Sequence, residues 1–180
     1  MEDSYEQLSA KAFKAYGKKD YPTAFEGFQK CLELLGETSS EKDKAEMRNN
    51  ISVVLIDLHK PQEAYDTVIG TELVFEELGD KKSQAMAYAN IGTALSALNR
   101  KEEALALFES SSELFKEVGE KMMRATVLKK ISDLQLTTGK PFQAVASMQA
   151  AYDQKEKKSL KEKILGGTLG EIIRKYFKVH

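Results

Sequence analysis

The chain has no tryptophan, one cysteine, three prolines and no apolar run long enough to cross a bilayer. Each shortage closes off a class of protein. A lone Cys31 cannot make an internal disulfide, so an extracellular disulfide framework has no support and a reducing, cytoplasmic setting is expected. A membrane-spanning helix needs about 20 consecutive apolar residues, so no membrane partner is expected. The first residues, Met1 to Tyr5, are acidic and lack the apolar stretch of a secretory signal. Neither sign of charge prevails: 27 basic residues stand against 28 acidic ones. Nucleic-acid binders ordinarily carry a basic excess, so nucleic acid is not an expected partner. Strand signals are nearly missing too. Ile51 to Ile56 is the one β-branched cluster, and no Gly/Asn turn lies close enough to pair it.

What remains is rich in Ala, Leu, Glu and Lys, the strong helix formers. A hydrophobic share of 42% is too high for a disordered chain, and 31% charged residues solvate a large surface. The expectation is an all-α fold.

The organisation comes from an internal period. Ala24, Ala64, Ala104 and Ala144 are each forty residues apart. The same step links Ile51, Ile91 and Ile131, links Ser52, Gly92 and Ser132, and pairs Asn50 with Asn90. Within a unit the apolar spacing is helical. Ala87, Tyr88, Ile91, Gly92, Leu95 and Leu98 fall at steps of one, three and four, which predicts a first helix over 85–98. Asn99 and Arg100 make a turn, and a second helix is predicted from about Lys101 to a stop near Gly119. Pro22, Pro61 and Pro141 all fall in the first turn of a second helix, where the missing N–H costs nothing. The small residues have a packing reason. Ala12, Ser52, Gly92 and Ser132, with the four alanines, are expected where the two helices of a unit cross closely. One such hairpin cannot bury its apolar face alone, and stacked neighbours can.

On these residues the chain resembles the tetratricopeptide repeat family in a long, roughly forty-residue variant. Asn90, Ile91 and Gly92, followed by Leu95, Ala104 and Phe108, form the unit most similar to the family pattern. Lys11 in the first unit and Gln135 in the fourth depart from it, each standing where a large apolar or aromatic residue is usual. The resemblance implies a right-handed α-solenoid of four helix-turn-helix repeats at about 4–38, 41–80, 81–120 and 121–158. Beyond 158 the register ends. Ser159 to Glu162 reads as a capping box, and 159–180 is expected to form a C-terminal capping helix over the fourth unit.

Chemistry is sparse. His59 and His180 have no Cys or second His at ligand spacing, so no metal and no cofactor is expected. Cys31 occupies a repeat position that is normally small and buried. The glycine-rich stretch 166–170 lacks the Lys-Ser/Thr of a phosphate loop. The carboxylate pairs, such as Glu102 and Glu103, lie on helix starts and solvent faces. The chain is therefore read as a non-enzyme.

In the tetratricopeptide repeat family the first helices line a concave groove that holds ligands. The resemblance implies a lining of Phe13 and Tyr16, then Asn49, Asn50, Val53, Ile56 and Asp57, then Met86, Ala89, Asn90 and Thr93, and last Lys129, Lys130 and Asp133. An asparagine offers a donor and an acceptor to an extended peptide, so Asn50 and Asn90 either hold a ligand or bond within the fold. Lys129 and Lys130 either hold an acidic group or form a solvated helix face. Ser9 and Phe13 stand where the family's clamp for chaperone tails needs Lys and Asn, so that ligand is not expected. The reading is a scaffold or adaptor that binds a peptide or helical segment with apolar anchors. The alternatives are self-association into a homo-oligomer through the C-terminal helix, or a sensor fragment of a longer regulator.

Overall fold

The computed structural model describes residues 3–36 and 39–154. The expected capping helix over 159–180 lies outside them. Four hairpins follow one another. The first pairs α1 (Tyr5–Gly17) with α2 (Tyr21–Leu35). The second sets α3 (Glu41–Asp57) against α4 (Pro61–Val68) and α5 (Thr71–Glu77). The third pairs α6 (Lys81–Ala97) with α7 (Lys101–Glu117), and the fourth pairs α8 (Lys121–Thr137) with α9 (Pro141–Gln154). Each hairpin packs on the next, α2 on α3, α5 on α6 and α7 on α8. Among the described residues there is no strand.

The small residues sit at the helix crossings. Ala24, Ala64, Ala104 and Ala144 are fully buried. A β-carbon placed on Gly92 would lie 3.0 Å from the Phe108 ring and 3.2 Å from the Ala104 carbonyl oxygen, so α6 and α7 touch there almost backbone to backbone. In the fourth unit Ser132 donates a 2.8 Å hydrogen bond to the Ala144 carbonyl across the same crossing. A second forty-residue row, Cys31, Thr71, Ser111 and Ala151, is buried as well. Burial raises the Cys31 pKa and so disfavours the thiolate. Larger side chains fill the space between units. One cluster joins Phe28, Ile51, Val54 and Leu55 of the first two units, another joins Ile91, Phe108, Phe115 and Ile131 of the last two, and Tyr65 packs against both.

The two departures from the family pattern are both accommodated. Lys11 faces solvent on the first unit, which has no preceding unit among the described residues, and pairs with Asp3 at 2.7 Å. Gln135 is buried, and its side-chain oxygen accepts a 2.8 Å bond from Ser147.

One expectation is corrected. The second unit does not have a single second helix: the chain breaks between α4 and α5, where Gly70 takes φ of 89°. The break is held by Arg48, whose guanidinium donates 2.7 Å bonds to the carbonyls of Thr67 and Ile69. Tyr88 and Leu128 occupy the matching place in the next two units, so this guanidinium belongs to the second unit.

Every first helix ends alike. Lys19, His59, Asn99 and Gly139, forty residues apart, all take positive φ of 60–75°. The amide that follows each one bonds the carbonyl five residues back, as in Asp20 to Ala15 and Arg100 to Leu95, at 2.8–3.0 Å. This is the Schellman end of a helix, and only the fourth unit uses glycine for it. The left-handed conformation costs an L-residue about 1–2 kcal/mol, partly offset by the extra chain entropy glycine loses. His59→Gly is therefore expected to stabilise the chain by about 0.5–1 kcal/mol. A urea midpoint that falls would count against this turn geometry.

Candidate functional site

The first helices present one continuous trough. Four cavities lie along it, and each shares residues with the next. The first, about 230 Å³, is lined by Glu46, Asn49, Asn50, Phe75, Ser83 and Met86. Asn50 also lines the second, a small one of about 70 Å³ with Phe13, Tyr16, Phe28 and Val53. Tyr16 and Val53 carry on into the third, about 410 Å³, with Ser52, Ile56, Asp57, Asn90, Thr93, Thr126 and Lys130. Thr93 and Lys130 lead into the fourth, about 400 Å³, with Ser96, Lys101, Phe108 and Asp133. The third cavity alone takes side chains from α1, α3, α6 and α8, one helix from every unit. The forty-residue step places these residues on one face, because it repeats the helix orientation as well as the sequence.

The residues named from the resemblance fall on this trough with two exceptions. Lys129, which is exposed, and Ala89 line none of the four cavities. Phe13 stands 52% exposed at one end, edge-on to Phe28 with ring centroids 4.9 Å apart. Sequence reasoning did not name Glu46, Ser52, Ser83, Ser96, Lys101, Phe108 or Thr126. Phe108 reads as pure core from its spacing, yet its ring also lines the fourth cavity. The serines and Thr126 carry no pattern of their own that marks them.

The asparagines divide by role. Asn49 is buried, and its amide nitrogen donates at 3.0 Å both to the Ala45 carbonyl and to the Thr71 hydroxyl. Its side-chain oxygen accepts a 2.9 Å bond from Asn90. Thr71 in turn donates to the Val68 carbonyl at 2.8 Å. The carboxamide of Asn49 thus ties α3 to α5 and α6. Asn90 keeps its oxygen and one N–H for the trough. The side chain of Asn50, one residue on from Asn49, makes no hydrogen bond among the described residues, so its oxygen and its amide nitrogen are both available.

Two charged groups define the middle of the trough. The Asp57 carboxylate accepts a 2.9 Å bond from the Tyr16 hydroxyl, which joins the first and second units. Burial and then this bond push the Tyr16 pKa up to about 12. Lys130 lies with its ammonium 5.8 Å from the centroid of the Phe108 ring, a cation–π contact. Burial lowers its pKa, opposed first by Asp133 and then by Asp57, though neither carboxylate is close enough for an ion pair. Among the described residues no group of three or more His, Cys, Asp or Glu is placed to hold a metal, and no helix is long and apolar enough to cross a membrane.

Comparison with known proteins follows this geometry. The tetratricopeptide repeat family model matches residues 43–117. No curated protein matches the chain in sequence. Among solved structures, the Rap conjugation gene regulator of plasmid pLS20, in complex with a Phr peptide, is similar with a TM-score of 0.75 and 14% identity over 96% of this chain and 48% of its own. A Rap protein complexed with Competence and Sporulation Factor gives 0.78 and 15%, over 97% and 49%. The TPR-like repeats of a putative kinesin light chain of Podosopora anserina give 0.72 and 14%, over 88% and 80%. The chain spans about half the length of these two Rap proteins. The tetratricopeptide repeat model thus matches the middle of the chain, and the forty-residue hairpin of that segment recurs on both sides of it in a fold similar to these helical-repeat structures.

Proposed function

We propose that this chain is a protein-interaction scaffold that holds a peptide or helical segment of a partner protein in the trough of its first helices. One observation carries the reading: four cavities join end to end through shared residues, and the third draws on all four units. A trough of that continuity suits an extended or helical segment better than a compact metabolite. Apolar walls at Phe13, Val53 and Ile56 supply anchoring area, and Asn50 supplies a free donor and acceptor for a main chain. The solved Rap regulator in complex with the Phr peptide supports the same reading.

Val53 tests it, because it borders both the second and the third cavity. Val53 is only half-buried, so Val53→Lys, whose ammonium can reach water, should leave the melting temperature nearly unchanged. For a peptide selected from a random library it should weaken binding about tenfold or more, since a long charged side chain would occupy the place of the anchor. Glu109→Lys, on an exposed position of the second helix α7, should leave that affinity as it is. Equal affinities for the Val53 variant and the parent would remove the trough from the function. Self-association through 159–180 concerns residues outside the described ones and gains no support from the trough.

A further inference from the structure

The third cavity is lopsided in its hydrogen-bonding capacity. The Tyr16 hydroxyl donates its proton to Asp57 at 2.9 Å. Ser52 donates to the Asn49 carbonyl at 2.8 Å, Thr93 to the Ala89 carbonyl at 2.7 Å and Thr126 to the Met122 carbonyl at 3.1 Å. Each of these acceptors has no proton to give back, so the direction of all four bonds is settled. Four hydroxyls therefore turn only lone pairs towards the cavity. The Asp57 carboxylate adds a further acceptor, and it has no ion pair among the described residues. On the donor side stand one remaining N–H of Asn90 and the ammonium of Lys130. That ammonium lies against the Phe108 ring, which lines the adjoining fourth cavity with Asp133.

We infer that this cavity is the pocket for a basic side chain of the partner segment, arginine before lysine. A guanidinium brings five N–H donors in a fixed plane and a positive charge for Asp57, which is what a ring of acceptors lacks. Val53 and Ile56 line the same cavity and cover the aliphatic stem. The volume of about 410 Å³ holds a side chain of that size together with water. An acidic side chain would have to face the Asp57 carboxylate and four lone pairs, with Lys130 alone in its favour. The inference rests on the trough being the partner-binding site, and it names the chemistry of one subsite.

The test is a selection of random peptides on the whole chain, followed by affinities for one selected peptide. Peptides with an arginine or lysine should dominate the selected set. Replacing that arginine by citrulline, which keeps the shape and loses the charge, should weaken binding about tenfold or more. Asp57→Asn, which keeps an acceptor for Tyr16, should do the same with an unchanged melting temperature. Lys130→Met should bind more tightly, because it removes a like charge from the cavity. Selected peptides without a basic residue, or a tenfold loss in Lys130→Met, would overturn the basic pocket and leave the trough standing. No peptide selected at all would overturn both.

Discussion

Ala104→Phe is expected to destabilise the chain by about 3 kcal/mol, near the upper end for overpacking a closed core. Ala104 is fully buried, and its carbonyl lies 3.2 Å from where a β-carbon on Gly92 would be. Beside Gly92 the α6–α7 crossing is closed by that carbonyl and by the ring of Phe108, itself 1% exposed, so the two helices have no slack between them there. A ring at this place must separate α6 from α7 and disturb the packing of both on adjacent units. Ala106 is on the same helix and exposed, so Ala106→Phe should change stability by no more than about 0.5 kcal/mol. Urea unfolding of the two variants decides the matter. Equal midpoints would mean that the helices do not cross where the structure puts them.

The second large effect is expected at Asn49. Asn49→Ala should cost about 2–3 kcal/mol, because it removes buried hydrogen bonds to Thr71 and Asn90 and leaves their polar atoms short of a partner. The neighbouring Asn50→Ala should cost less than about 0.5 kcal/mol, since the Asn50 side chain has no bond among the described residues to lose. In a double-mutant cycle, Asn49→Ala and Asn90→Ala should be markedly non-additive, as both remove one shared bond. Two adjacent asparagines with equal effects on thermal unfolding would contradict the division between a structural and a ligand-facing amide.

The contrast between these two asparagines marks the reach of sequence reasoning. The forty-residue step pairs Asn50 with Asn90 and so presents them as equivalents. In the structure they differ: Asn90 bonds across to the second unit and Asn50 does not. The break after Val68 was equally hidden. The local signal is the β-branched run Thr67, Val68 and Ile69 before Gly70, together with an arginine at position 48 where later units carry Tyr88 and Leu128. A period read along the chain aligns such residues and says nothing of what a guanidinium reaches at the end of the next helix.

By itself the sequence determined the helical class, the hairpin unit, its register and the crossing residues. All of these follow from short-range spacing and from the demand for small side chains where backbones meet, and both repeat every forty residues. Only the tertiary structure decided which polar groups on the first helices are committed inside the fold and which face the trough. That depends on where partners from other units come to lie, as Tyr16 does for Asp57 forty-one residues on. Ser52, Thr93 and Thr126 look alike in sequence to any helical hydroxyl. Their protons are taken by backbone carbonyls, and the lone pairs left over give the cavity its character.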